Sequence, residues 1–189
     1  IVEAMKTMNH RNLRLVNPLE FPSAEASSRA AGADVVLAEC RQFSSLEDAV
    51  KDCDLVIGTS ARVRGIPWPM ILPRDCAKKI SEETYSSVAI VFGKESSGLS
   101  NEELQLCNMV LKIPTNSQYN SLNLAAAVQI ICYEIYLLIT NLDSLEYKQN
   151  EVAFIDQDKM EQFYTHLEEC FVQVDFHDIN NPKKLMHRI

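Results

Sequence analysis

Three polar or glycine-bearing segments stand where apolar runs end, and each is placed to hold a ligand. Gly58-Thr59-Ser60-Ala61-Arg62 follows Asp54–Ile57, Gly93–Gly98 follows Ser87–Phe92, and Ile113–Ser121 closes the run Met109–Ile113. Gly93 and Gly98 flank Lys94-Glu95-Ser96-Ser97, which is neither G-x-G-x-x-G nor a P-loop. Such glycines let backbone approach a ligand or make tight turns, and taken alone the turn reading outweighs the other by about two to one. Glu95 could accept a proton or hold an arginine, although a solvated loop carboxylate is the stronger reading of one residue. Ser121 and Asn123 stand at the head of a long apolar run. Either is explained as an N-cap. A helix start also offers free N–H groups to a polar ligand, and the two readings are compatible. Arg62 and Arg64 suit phosphates. Trp68, held between Pro67 and Pro69, could stack on a base; packing over neighbouring apolar surface is the safer reading of a lone tryptophan.

Such segments meet only if strands deliver them to one edge. Leu13–Val16 is β-prone and stops at Asn17-Pro18, Ala24–Ala31 is helical and ends at Gly32, and Asp34–Leu37 is expected as the next strand. Ser45–Lys51 has an N-cap serine and early acids, so it predicts a helix. Asp54–Ile57 and Ser87–Phe92 are strands with helical Pro73–Ile80 between them. Ser100-Asn101-Glu102-Glu103 is a capping box opening a helix to about Cys107. Met109–Ile113 is a strand stopped by Pro114, and Asn123–Asn141 is a long apolar helix. This alternation predicts an α/β fold with a mostly parallel sheet and helices on both faces. Leu55–Ile57 and Val88–Phe92 suit strands covered on both faces. Ligands gather at the carboxyl ends of such strands, so the three segments address one nucleotide-sized pocket. The acidic stretch Asp143–Asp158 is expected as a linker, and Phe163, Leu167, Cys170, Phe171 and Val174 recur at helical spacing beyond it. The expected division is a domain over 1–142, a linker over 143–158 and a helical appendage over 159–189.

Bulk composition narrows the classes. A chain of 189 residues with 47% apolar and 23% charged residues is that of a globular protein with a core of its own. Its apolar stretches are too short to cross a bilayer, and no secretion signal opens it. The six cysteines form no C-x-x-C pair and the four histidines are scattered, which predicts reduced thiols in a cytoplasmic protein with no metal site. The net charge of −8 speaks against RNA at first sight, but it is unevenly spread: residues 1–80 carry +1, residues 81–140 carry −4 and residues 141–189 carry −5.

The order of segments adds a resemblance. Ala4-Met5-Lys6-Thr7-Met8, Leu15-Val16-Asn17-Pro18, Gly58–Arg62, Pro67-Trp68-Pro69, Val91–Glu95, Gly98–Glu103 and Ser121-Leu122-Asn123-Leu124 closely resemble, in sequence and order, the TrmJ family of the SpoU/TrmH (SPOUT) class of RNA 2′-O-methyltransferases. The resemblance runs from about Ala4 to Arg188. It implies a deep trefoil knot, a homodimer, and S-adenosyl-L-methionine (AdoMet) bound by Thr59, Ser60, Ala61, Gly93, Ile113, Asn120, Ser121 and Leu122. It implies methyl transfer to a ribose 2′-oxygen of tRNA, at cytidine or uridine of anticodon-loop position 32, with RNA entering over Arg11, Arg14, Arg62 and Arg64. Ser121, Asn123 and Glu95 are the site residues it implies, Ser121 on the active-site wall and the other two shaping loops and interface. Relatives carry Arg at position 94 and Ser at position 120, where this chain has Lys94 and Asn120. They also carry a strand, an Asn and a hydroxyl-activating Arg before Ala-Met-Lys; here Glu3 stands at the Arg position, preceded by Ile1 and Val2. The same chemistry on rRNA, a silent RNA-binding paralogue and a nucleotide-binding α/β protein unrelated to RNA are the competing expectations.

Overall fold

The structure is a computed structural model that describes residues 1–28, 30, 32–61, 68–118, 121–140 and 155–176. Short strands pair here in register with parallel neighbours. β1 (Arg14–Val16) pairs with β2 (Arg41–Phe43), Leu15 opposite Gln42. β3 (Leu55–Thr59), β4 (Met70–Ile71), β5 (Val88–Val91) and β6 (Met109–Leu111) form a second parallel sheet in the order β4-β6-β3-β5. Ile57 lies opposite both Ile90 and Met109, so the strands end nearly level.

The two faces of this sheet separate by residue parity, as side chains of a strand must. Leu55 and Ile57 of β3 and Leu111 of β6 face α5 (Pro73–Glu82) and α7 (Leu124–Ile139), where they pack with Cys76, Ala77, Ile131 and Ile135. Ile57 is fully buried, a burial that stabilises by about 1.5–3 kcal/mol. Val110 faces the other way, toward Leu99, Trp68 and Leu104 of α6 (Asn101–Gln105). Gly58 lets that layer approach: a β-carbon there would stand 2.8 Å from the Cys107 Sγ and 2.9 Å from the Leu104 Cδ2. Trp68 therefore packs against apolar neighbours, the safer of its two readings.

Most helices begin where the sequence signals them. The Ser45 hydroxyl accepts from the Asp48 N–H at 3.1 Å at the head of α4 (Leu46–Val50). Both halves of the Ser100–Glu103 capping box form, at 3.1 and 2.7 Å. α2 covers Ala24–Ser28, and Gly32 has φ +82°, the left-handed region a glycine tolerates.

The strand expected at Asp34–Leu37 is instead α3 (Asp34–Ala38), and the strand forms at Arg41–Phe43. The β-branched Val35-Val36 pair suggested a strand. What decides is that Ala33 and Val36 bury one helical face, and Asp34 complements the helix N-terminus. Two-face coverage holds for β3, whose residues 55–58 are all buried, but β5 is half-buried throughout. Among the described residues β5 is an edge of its sheet. α1 (Val2–Thr7) and the two-residue β4 carried no sequence signal.

The chain divides into two compact units, residues 1–145 and 146–189. In the second, α8 (Gln157–Gln173) is capped by Asp156, whose carboxylate accepts from the Lys159 N–H at 2.9 Å. Phe171 and Phe176 pack ring against ring at 5.3 Å, and no residue of α8 is buried. No described helix is long and apolar enough to cross a membrane.

Candidate active site

The carboxyl ends of β3, β5 and β6 open on one cavity of about 180 Å³. Two cross-strand bonds set those ends. The Thr59 hydroxyl donates to the Val91 carbonyl at 3.0 Å, and the Ser60 N–H donates to the Leu111 carbonyl at 3.1 Å. Thr59, Ser60, Ala61, Gly93, Ile113, Ser121 and Leu122 all line the cavity, so seven of the eight expected ligand positions meet there. The eighth, Asn120, lies outside the described residues.

The glycine loop is built by close backbone approach. A β-carbon on Gly93 would come within 2.5 Å of the Gly98 carbonyl oxygen, and closer still to the Gly98 carbonyl carbon and the Leu99 nitrogen. Gly98 has φ +71°, and its N–H donates to the Lys94 carbonyl at 2.7 Å. The loop is thus folded back on itself, and buried Leu99 anchors its far end in the second core.

Glu95 joins this loop to α7. Its Oε1 accepts from the Asn123 Nδ2 at 3.0 Å, while the Asn123 Oδ1 accepts from the N–H groups of Ala125 at 2.9 Å and Ala126 at 3.3 Å. One asparagine therefore caps the helix and holds the loop. Asn123 does the capping, so capping does not explain Ser121, which stands on the cavity wall.

The remaining expected residues are placed differently. Arg14 forms a two-pronged pair with Asp52, its second prong at 2.9 Å, and also donates to the Ala49 carbonyl. That pairing holds the Asp52 carboxyl down at about 2. The Arg14 charge is thereby balanced within the fold, whereas Arg11 is exposed. Arg62 and Arg64 lie outside the described residues. Glu3 sits in the first turn of α1, exposed and away from the cavity wall. Burial pushes the Cys76, Cys107 and Cys132 thiols up to about 11, so none is a thiolate nucleophile at neutral pH.

Residues not assigned to the ligand on sequence grounds also line the cavity, although Lys94 belongs to the Gly93–Gly98 segment singled out there. Phe92, Leu111, Leu124 and Ala127 supply apolar wall, and Lys94 stands on the rim. Phe92 and Leu124 adjoin residues that the sequence singles out; Ala127 enters only because α7 turns its first face to the strand ends.

Strand ends, glycine loop and helix start converge here in a pattern that known proteins share. Residues 1–133 match the model of the SpoU rRNA Methylase family, and residues 158–189 match that of the tRNA methyltransferase TrmJ, C-terminal domain. The chain belongs to the SpoU methylase family. It is 46% identical over 188 residues to the tRNA (cytidine/uridine-2′-O-)-methyltransferase TrmJ of Photorhabdus laumondii, covering 98% of this chain and 78% of the relative. Among solved structures it is similar to a probable methylase family protein from Haemophilus influenzae Rd KW20, with TM-score 0.71 and 36% identity over 99% of this chain and 77% of that one. It is also similar to TrmJ from Z. mobilis ZM4, with TM-score 0.69 and 30% identity over 99% of this chain and 79% of that one.

Proposed function

We propose that the chain transfers a methyl group from AdoMet to the ribose 2′-oxygen of a cytidine or uridine in tRNA, at the first nucleotide of the anticodon loop. The observation that carries this reading is the single cavity where Thr59, Gly93, Ile113 and Ser121 meet, in a chain alike over nearly its whole length to a TrmJ methyltransferase.

The residues present fit an adenosine-type ligand. Leu111, Ile113, Leu122, Leu124 and Ala127 offer apolar wall for a base, and the Gly93 backbone, bare of a side chain, offers polar contacts. Bound there, AdoMet supplies a sulfonium-activated, electrophilic methyl group. The protein's own part is to align the ribose hydroxyl, whose proton leaves to water as the O–methyl bond forms and the donor departs as a neutral thioether, and to keep the loops closed on it. Ser121 orients that hydroxyl from the wall. Glu95 and Asn123 are positioning residues, because one Glu95 oxygen holds the Asn123 amide and the Asn123 carbonyl caps α7.

Further features belong to the same reading. A trefoil knot is supported by the family membership and by the sheet order, in which β6, the last strand, lies between β3 and β4. A homodimer is supported by apolar side chains exposed along α7 and just before it: Leu122 at 37%, Tyr133 at 46% and Ile139 at 60%. RNA enters over Arg11 with Arg62 and Arg64, and Arg14 holds the β1 end of that surface through Asp52. The methyltransferase domain is taken over 1–142 and the helical appendage over 159–189, with α8 starting two residues earlier, at Gln157, within the expected linker of 143–158. Six free cysteines suit the reducing cytoplasm, where tRNA is modified. The same chemistry on rRNA is the second reading, favoured by the description of the matched family model.

The test is incorporation of labelled methyl from AdoMet into unmodified tRNA, with rRNA fragments in parallel. Label in tRNA alone is the expected result. Label in rRNA alone overturns the substrate, and label in neither overturns the reaction.

A further inference from the structure

Two charged side chains line the cavity among the described residues, and they are committed differently. Glu95 is turned to Asn123 at 3.0 Å. Lys94 is fixed through its backbone, its carbonyl accepting from Gly98 N–H at 2.7 Å and from Ser97 N–H at 3.3 Å. Its side chain is exposed, and among the described residues no carboxylate pairs with it. Among the described residues the rim therefore carries one lysine with no ion-pair partner, in a chain whose net charge is −8.

We infer that Lys94 binds a phosphodiester of the RNA beside the ribose presented to the cavity, an inference that rests on the RNA-methylation reading above. An acidic chain repels a polyanion at long range, so fixed cations at the site must set the backbone in place. Lys94 stands in the wholly exposed stretch 94–98, whereas the cavity wall behind it, at Phe92, Gly93 and Ile113, is half-buried. The donor ligand belongs to that inner wall, and the rim is left to the incoming polyanion. A hydrated ammonium on a flexible stem suits a phosphate that stays in contact with water. The Asn123 amide holds the Glu95 carboxylate toward α7, so Glu95 makes no ion pair with Lys94.

The experiment uses the full chain and compares wild type, Lys94→Gln and Lys94→Arg. Binding of unmodified tRNA is measured across a range of salt, and binding of AdoMet alone is measured by calorimetry. One phosphate contact contributes about 0.7–0.9 to the slope of log affinity against log salt, which at 0.1 M salt is about five- to eight-fold in affinity. Lys94→Gln is expected to lose that slope and that affinity for tRNA, with AdoMet binding unchanged, and Lys94→Arg is expected to restore both. Wild-type slope and affinity in Lys94→Gln overturn the inference. A fall in AdoMet affinity in Lys94→Gln also overturns it, since the partner would then be the donor's carboxylate. Absence of tRNA binding by wild type overturns the function reading itself, and the two failures are thereby distinct.

Discussion

Replacing Gly93 with Ala places one methyl group where the glycine loop folds back on itself. The added carbon would stand 2.1 Å from the Gly98 carbonyl carbon and 2.2 Å from the Leu99 nitrogen, against the 3.4 Å at which ordinary contact begins, so the backbone must give by roughly 1.3 Å. The obstacle is main chain, which cannot swing aside as a long side chain does. Gly98 is bonded to Lys94, and the next residue, Leu99, is buried with Leu104 and Val110. Such overpacking costs about 1–3 kcal/mol. Displacing the loop also breaks the Glu95–Asn123 hydrogen bond, worth about 0.5–1.5 kcal/mol net. The expected loss is thus roughly 2–4 kcal/mol, or a fall in Tm of about 5–15 °C. Thermal unfolding followed by circular dichroism reads the stability, and calorimetry at a temperature where the variant is folded reads AdoMet affinity, which should fall at least tenfold. A Gly93→Ala protein that melts within 2 °C of wild type and binds AdoMet normally would refute the close-approach argument.

Asn123→Asp keeps the oxygen that caps α7 but replaces the amide facing Glu95 with a second carboxylate, so turnover should fall several-fold at little cost in Tm. Combining it with Glu95→Gln should recover most of the loss, and a double variant no better than the single one would count against the link. Ser121→Ala should slow turnover about tenfold, the equivalent of ~1.4 kcal/mol, with tRNA and AdoMet affinities unchanged; wild-type turnover would remove Ser121 from the site. Because Arg14 holds the Asp52 carboxyl at about 2 instead of its ordinary 3.8, the pair stabilises fully above that ordinary value and loses its effect as pH falls through about 2. Asp52→Asn should therefore flatten the stability profile between about pH 4 and pH 2, and identical profiles for the two proteins would contradict the pairing.

Much of the site was legible because its parts are local. Strands β3, β5 and β6 stand as apolar runs stopped by glycine or proline, and the Ser100–Glu103 box announces α6 within four residues. Parallel strands must end together, so the convergence of Thr59, Gly93 and Ile113 followed from the alternation of elements. What was not legible depends on tertiary contact. Val35-Val36 reads as strand until Val36 is seen buried in a helical face. The two residues of β4 carry no periodicity, since pairing with β6 alone makes them a strand. The Glu95–Asn123 bond joins residues 28 apart in sequence, and no local pattern marks it. Likewise, Arg14 reads as a free cation until Asp52 is found beside it.

The most direct measurement is the chemical position of the transferred methyl. Unmodified tRNA, incubated with the full-length protein and methyl-labelled AdoMet, is digested with alkali, which needs a free 2′-hydroxyl to cut. Label in an alkali-resistant dinucleotide whose first residue is a cytidine or uridine from the start of the anticodon loop is the predicted result. Label released in mononucleotides would place the methyl on a base and contradict the account.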